Sequence, residues 1–92
     1  MNRNKKTLEK LISDGQDILS KSDNMKINQY LSYFKIVDDK MFKKWYGQVK
    51  KFLTKNNCRP YIAKLHNGIN KTNYDTCSEQ VENLKELRSM FN

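Results

Sequence analysis

The segment DKMFKKWYGQVKKFLTK, residues 39–55, decides the fold of this 92-residue chain. At about 100° per residue, its apolar side chains fall on one continuous arc of a helix. That arc contains Met41, Phe42, Trp45, Val49, Phe52 and Leu53. Lysines occupy the opposite side, Asp39 stands at the N-cap position, and Asn56-Asn57 marks the end. The pattern therefore predicts an amphipathic helix over residues 39–55 that carries the single tryptophan into the core.

Three more segments show the signals of helices. Residues 3–21 place apolar side chains on one helical face: Leu8, Leu11, Ile12, Ile18 and Leu19. Residues 60–68 begin with a proline, which suits the first turn of a helix, and end with an Asn-Gly pair, a C-cap signal. Thr76 and Glu79 form a capping box ahead of a last helix. We predict an all-α fold, a compact bundle of four to five helices, with residues 1–92 as a single helical domain.

Residues 25–35 are ambiguous. Tyr30 and Phe34 can share one helical face, and we predict a helix here. The β-branched stretch from Phe34 to Val37 fits an extended link into the next helix equally well. We expect the aromatic side chains of Tyr30, Tyr33 and Phe34 to belong to the core rather than to a surface that stacks on bases.

Gly15 lies in the middle of the apolar face of the first helix. A glycine inside a helix costs about 1 kcal/mol relative to alanine, so its presence calls for a reason. Close approach of another helix, or space for a bulky side chain such as Trp45, would supply one. A tolerated glycine at a kink is the other interpretation.

The net charge of +8 is concentrated in one part of the sequence. Residues 1–39 contain seven basic and six acidic groups, residues 40–74 nine basic groups and no acid, and residues 75–92 two basic and four acidic groups. A lysine-rich composition can reflect an AT-rich genome, but such a bias does not remove acidic residues from the whole middle third. A field of one sign over this length indicates an anionic partner.

Signals for membrane insertion and export are absent from the sequence. No apolar run approaches the ~20 residues needed to span a bilayer, so we expect no membrane partner. The N-terminal segment is basic but lacks the apolar stretch of a signal peptide. We therefore predict a cytoplasmic protein.

Signatures of catalysis and of metal binding are also absent from the sequence. There is no glycine-rich phosphate loop and no paired-cysteine motif, and His66 is the single histidine. The neighbouring carboxylates of Asp14 and Asp17 fit the polar face of a helix. We predict a non-enzymatic protein without a metal or cofactor. Cys58 and Cys77 are expected to be free thiols in a reducing compartment, with a disulfide between them as the alternative.

The one candidate site is the basic side of the central helix. We predict that it binds a ligand through Lys43, Lys44, Tyr46, Lys50, Lys51, Lys55 and Arg59. The cationic groups would contact phosphates or carboxylates, and Tyr46 lies at the edge of the apolar arc, where it could stack on a base. A solvated helix face without any partner has the same composition. Nucleic acid, a small anionic ligand and an acidic protein surface all fit the charge.

Three segments, LEKLISDGQDIL, FKKWYGQVKKFLTKN and YDTCSEQVENLKELRSMF, resemble a helical domain found at the start of many bacterial defence proteins of the abortive-infection type. The matching residues are Leu8, Leu11, Ile12, Gly15, Ile18, Leu19, Trp45, Val49, Phe52, Leu53, Leu84 and Leu87. The match covers most of the chain and lies chiefly at core positions, so it implies a shared helical fold more strongly than a shared activity. In such proteins the module usually precedes an effector domain, whereas this sequence ends at Asn92.

The resemblance implies a protein of bacterium–phage conflict that is not itself the effector. Such a module would act as an adaptor, a regulator or a phage-encoded decoy. We predict a small inhibitor or decoy, assembled as a homo-oligomer, that binds a defence protein or sequesters an anionic signalling nucleotide through its lysine-rich face. The alternative prediction is a small basic regulatory protein that binds DNA or RNA.

Overall fold

Four helices and one pair of short strands make up the described part of the fold. The computed structural model describes residues 3–26, 33–64 and 72–90. The elements in chain order are α1 (Arg3–Ser20), β1 (Asp23–Lys26), β2 (Tyr33–Ile36), α2 (Asp39–Lys55), α3 (Arg59–Lys64) and α4 (Asn73–Arg88). The predicted all-α bundle of four to five helices is confirmed, with a small antiparallel strand pair added between the first two helices.

The helix predicted over residues 25–35 is wrong at both of its ends. Residues 25–26 belong to β1 and residues 33–35 to β2, and the two strands pair antiparallel from Asp23 opposite Ile36 to Lys26 opposite Tyr33. Residues 27–32 lie outside the described residues. Apolar spacing over so short a segment fits either structure, and pairing with a second strand satisfies backbone groups that an isolated short helix leaves open.

The extended alternative for the stretch after Tyr33 agrees with β2. The prediction that three aromatic side chains belong to the core lies outside what the structure describes: Tyr30, Tyr33 and Phe34.

The bounds predicted for α2 are confirmed, but its N-cap is Asp38 rather than Asp39. The Asp38 carboxylate accepts a hydrogen bond from the Met41 backbone N–H at 2.9 Å, as an N-cap residue does. Asp39 is the first helical residue, and its negative charge in the first turn favours the helix dipole. The helix ends at Lys55 with Asn56 as its C-cap, and Asn57 follows with a φ of 55°, a left-handed conformation that asparagine tolerates.

The N-cap of α4 lies four residues before the predicted one. Thr72 is the N-cap, and its hydroxyl accepts a hydrogen bond from the Asp75 backbone N–H at 3.1 Å. The predicted cap, Thr76, is inside the helix. Two consecutive Thr-x-x-acid patterns, Thr72 to Asp75 and Thr76 to Glu79, are present in this segment, and the sequence alone does not rank them.

The side-chain amide of Asn73 connects the start of α4 to the end of the strand pair. Its Oδ1 accepts from the Val37 backbone N–H at 2.9 Å, and its Nδ2 donates to the Val37 carbonyl oxygen at 3.0 Å. The side chain therefore supplies both hydrogen bonds that a neighbouring strand would have supplied. This contact fixes where the chain enters α2.

The short helix predicted over residues 60–68 is described as α3, which begins one residue earlier, at Arg59, and is described as far as Lys64. The remainder of the predicted helix, with His66 and the Asn-Gly pair, lies outside the described residues. Among the described residues, no helix is both long enough and apolar enough to cross a membrane.

The core forms where α1, α2 and α4 meet around Trp45, which is 2% exposed. The indole Nε1 donates a hydrogen bond to the Leu11 carbonyl oxygen at 2.7 Å. A Cβ atom placed on Gly15 would lie 2.6 Å from both Trp45 Cζ2 and Val81 Cγ2. The interpretation that Gly15 leaves space for Trp45 is therefore confirmed.

All four helices contribute apolar side chains to this core. The buried residues are Leu8, Leu11, Ile12, Ile18, Val37, Trp45, Val49, Phe52, Leu53, Tyr61, Cys77, Val81, Leu84 and Leu87. Met41 was predicted to belong to the apolar arc, but it is 40% exposed. It lies in the first turn of α2, at the margin of the contact with α1, where neighbouring side chains cover only part of it.

Gly15→Ala tests the contact between Gly15 and Trp45. Alanine would gain about 1 kcal/mol in helix propensity, but overpacking a rigid ring and a β-branched side chain costs about 1–3 kcal/mol. We expect the free energy of unfolding, measured by urea denaturation, to fall by about 1 kcal/mol, the middle of that cost less the gain in propensity.

Gly47→Ala is the matched control, because a Cβ atom at Gly47 in the middle of α2 would meet nothing within 4 Å. This variant is expected to be more stable than the parent by about 0.5–1 kcal/mol. Equal changes in the two variants would contradict the assigned role of Gly15.

Candidate functional site

The exposed lysines of α2 form one row on each side of an outer line, and one lysine lies on the line itself. We call these residues the lysine face: Lys40, Lys43, Lys44, Lys50, Lys51 and Lys55. The outer line, directly opposite the buried side chains, consists of Lys40, Gly47 and Thr54. The first row consists of Lys43 and Lys50, and the second row of Lys44, Lys51 and Lys55. The helix thus brings all five predicted lysines to the surface, but on two sides.

The first row is held by contacts within α2. Lys43 Nζ lies 3.0 Å from an Asp39 carboxylate oxygen, and Lys50 Nζ lies 4.7 Å from the centre of the Tyr46 ring. The Tyr46 ring stacks on Phe42 at 5.2 Å between centroids. Partial burial raises the pKa of the Tyr46 hydroxyl above its usual value, so the phenol is neutral at pH 7. Tyr46 is therefore placed in the predicted site, as a platform for Lys50.

The second row borders a groove between α1 and α2. The two helices run antiparallel, so the start of α1 faces the end of α2. Two open concavities adjoin at Gln48, with volumes of about 280 Å³ and 220 Å³. The first is lined by Lys10, Asp14, Asp17, Ile18, Met41, Lys44, Trp45 and Gln48. The second is lined by Asn4, Thr7, Gln48, Lys51, Phe52, Lys55 and Asn56.

The two ends of this groove differ in charge. The first concavity contains the carboxylates of Asp14 and Asp17, which pair with Lys10 at 2.9 Å and Lys21 at 3.2 Å. The described lining of the second concavity contains two lysines, amide and hydroxyl groups, and no carboxylate. An anionic group is therefore favoured at the second end, near Lys51.

Arg59 belongs to a different element from the lysines. It is the first residue of α3, beyond the left-handed residue Asn57, and its Nε donates to the Asn57 side-chain oxygen at 3.3 Å. Among the described residues, this bond joins Arg59 to the turn that follows α2 and not to a lysine of the lysine face. The site is therefore a surface of α2, with Arg59 to one side of its end.

Acidic neighbours balance little of the positive charge on the lysine face. In the part of the chain that the structure describes, the one ion pair made by the lysine face is Lys43 with Asp39, whose side chains are 75% and 62% exposed. An exposed pair of this kind contributes about 0–1 kcal/mol. The Lys43 ammonium can therefore exchange Asp39 for another anionic group at little cost.

Sequence analysis missed the α1 side of this surface. Asn4 and Thr7 line the second concavity together with Gln48 and Asn56, yet nothing in their local sequence indicates a site. They meet the lysines because α1 and α2 pack antiparallel, a long-range contact with no signal in residue spacing.

The described residues contain no group of three or more histidine, cysteine, aspartate or glutamate side chains that could hold a metal ion. Asp14 and Asp17 each form an ion pair with a lysine one helical turn away. These carboxylates are exposed or half-buried at the surface of α1, as the sequence indicated.

Searches against protein-family models, curated protein sequences and solved structures found no match to this chain.

Both cysteines are free thiols in the structure. Cys77 is buried in the core, where its Sγ lies 3.7 Å from the Gly15 carbonyl oxygen. Burial raises the pKa of the Cys77 thiol to about 11. Cys58 is half-buried at the turn before α3, and burial raises the pKa of its thiol as well.

Thiol labelling tests this arrangement. The thiolate is the reactive form, so at pH 8 a pKa of about 11 makes Cys77 roughly a hundredfold less ionised than an ordinary thiol with a pKa of 9.0. We expect Ellman's reagent to label one cysteine per native chain and two in urea, with Cys58→Ser abolishing the native signal. Native labelling of both cysteines at similar rates would show that Cys77 is not buried.

The same thiol links stability to pH. Because the folded-state pKa of Cys77 is raised above 9.0, its neutral form is favoured by folding, and this contribution is complete below pH 9. It is lost as the pH rises from 9 towards 11.

Proposed function

We propose that this protein is a non-enzymatic binding protein that captures a phosphate-bearing partner on the lysine face of α2. The observation that carries the proposal is the pair of exposed lysine rows on one packed helix, with a single described carboxylate among their ion-pair partners. A rigid helix that presents many positive charges and few compensating ones attracts anions over long distances.

The biological setting that we propose is conflict between bacterium and phage, as an inhibitor or decoy. This setting is supported by the resemblance in core pattern to abortive-infection modules. A signalling nucleotide would place its phosphates near Lys51 and Lys55, at the groove end without carboxylates. The second concavity, at about 220 Å³, is smaller than a typical ligand pocket of ~300–1,000 Å³, so one chain would hold only part of such a nucleotide.

The length of the lysine face favours a second candidate, binding of DNA or RNA. Lys40 and Lys55 are fifteen residues apart, which is about 22 Å along a helix. Phosphates of a duplex strand repeat about every 3.4 Å along the axis, so a nucleic acid would engage the whole face, whereas one nucleotide would engage only part of it.

A charge-neutralising variant tests the proposed surface. We expect the combined variant Lys43→Gln, Lys44→Gln, Lys50→Gln and Lys51→Gln to weaken binding of a labelled 20-nucleotide single strand by at least tenfold, since four charge-assisted contacts are lost. Binding of a fluorescent cyclic dinucleotide, whose phosphates would lie near Lys51 and Lys55, should weaken by a smaller factor, since only one of these two lysines is changed. Glutamine and lysine have similar helix propensities, so the fold should remain. Fluorescence anisotropy measures the affinity, and circular dichroism checks the fold.

The matched control neutralises four other basic residues: Lys6 on α1, Lys21 directly after α1, and Lys85 and Arg88 on α4. It removes the same number of charges and leaves the lysine face intact. Equal loss of binding in the two variants would mean that net charge alone, rather than this surface, holds the partner.

Salt dependence separates the two candidates. If a single strand neutralises four lysines, the logarithm of affinity should fall with the logarithm of salt concentration with a slope of about −3. A small nucleotide lacks the condensed counterion layer of a strand, so a nucleotide held at one end of the groove by two lysines would give a much shallower slope.

Native mass spectrometry of the protein purified from phage-challenged bacteria tests capture of a nucleotide between subunits. Because one small concavity covers only part of a nucleotide, we expect a homo-oligomer that carries a nucleotide-sized mass. A monomer without added mass would favour the nucleic-acid candidate instead.

A further inference from the structure

Gly47 stands at the centre of the lysine face without any requirement from the fold. It is the middle residue of α2 and is exposed, and its φ is not positive. A Cβ atom at this position would meet nothing within 4 Å. Gly15 gives the opposite result, because a Cβ atom there would overlap the core. Glycine at position 47 therefore costs α2 about 1 kcal/mol in propensity without a compensating internal contact.

Four lysines surround Gly47 one helical turn before and after it. Lys43 and Lys44 precede it by four and three residues, and Lys50 and Lys51 follow it by three and four. Residues at these spacings are direct neighbours on a helix surface, about 5–6 Å apart. Gly47, which has no side chain, is thus the exposed residue between four exposed lysines.

The side chains of this ring lean away from Gly47 on both sides. Lys43 reaches towards Asp39, and Lys50 lies over the Tyr46 ring. Lys44 and Lys51 line the groove on the α1 side. Gly47 therefore has two lysines on each flank and no side chain of its own, and we call this position the Gly47 saddle.

We propose that the Gly47 saddle seats one phosphate group of the anionic partner directly on the helix backbone. This inference rests on the proposed function and specifies the point of closest approach. A phosphate has several oxygens, which can accept hydrogen bonds from more than one ammonium group at once. Without a Cβ atom at position 47, the phosphate sits lower between the lysines and stays close to both rows.

A side chain added at Gly47 is expected to raise the stability of the fold and to lower the affinity for the anionic partner. Gly47→Ala and Gly47→Leu are both expected to raise the urea midpoint, because each removes a helix-interior glycine at an exposed position. We expect Gly47→Ala to weaken binding of a labelled 20-nucleotide single strand about threefold and Gly47→Leu about tenfold or more, since each lifts the phosphate from its seat. A purely structural role for Gly47 predicts lower stability and no such separation.

Ser13 provides the matched control, because it is an exposed residue in the interior of α1. Ser13→Ala and Ser13→Leu add the same kinds of side chain on a different helix and should leave affinity unchanged. Equal loss of binding in the Ser13 variants would overturn the proposal, since bulk at any exposed helical position would then suffice.

The remaining outcomes separate this inference from the proposed function. If neutralising Lys43, Lys44, Lys50 and Lys51 weakens binding but both Gly47 variants bind as tightly as the parent, the Gly47 saddle alone is overturned. Failure of the parent to bind either the single strand or the cyclic dinucleotide would overturn both. If Gly47→Leu binds both the cyclic dinucleotide and the single strand more weakly, the two probes share one phosphate site. If only the affinity for the single strand falls, the phosphate at Gly47 comes from a nucleic acid.

Discussion

The packing of the Trp45 indole against Gly15 is the contact on which the rest of the structure depends. The ring fits where α1 has no side chain, and its N–H donates to the Leu11 carbonyl oxygen at 2.7 Å. Val81 of α4 approaches the same point from the other side. A buried indole needs both a close-fitting surface and a hydrogen-bond acceptor, and one turn of α1 supplies both. Three helices therefore converge at a single glycine.

This contact also fixes the rotation of α2 about its own axis. With Trp45, Val49 and Leu53 held in the core, the opposite line of the helix must face solvent. The Asp38 cap and the left-handed turn at Asn57 set the two ends of the helix. The lysine face is therefore held on a packed element, so a partner does not have to order a flexible segment.

Repulsion between the lysines of the lysine face destabilises α2 in the unbound protein. Lysines one turn apart on a helix repel each other by about 0.2–0.5 kcal/mol per pair, and Asp39 is the one described carboxylate in an ion pair with them. The apolar side of α2 offsets this repulsion through burial. An anionic partner would remove the repulsion and gain the attraction, so the same charges that weaken the free helix favour the bound state.

The sequence by itself determined the helical class, the bounds of α2, the inward side of Trp45 and the outward side of the lysines, because each follows from local spacing. Tertiary structure decided the strand pair that includes Tyr33, since short apolar patterns fit strand or helix until a partner strand is present. It also decided that Asn4 and Thr7 join the lysines in one groove. That juxtaposition depends on how two helices pack, which involves residues far apart in the chain and leaves no mark in local spacing.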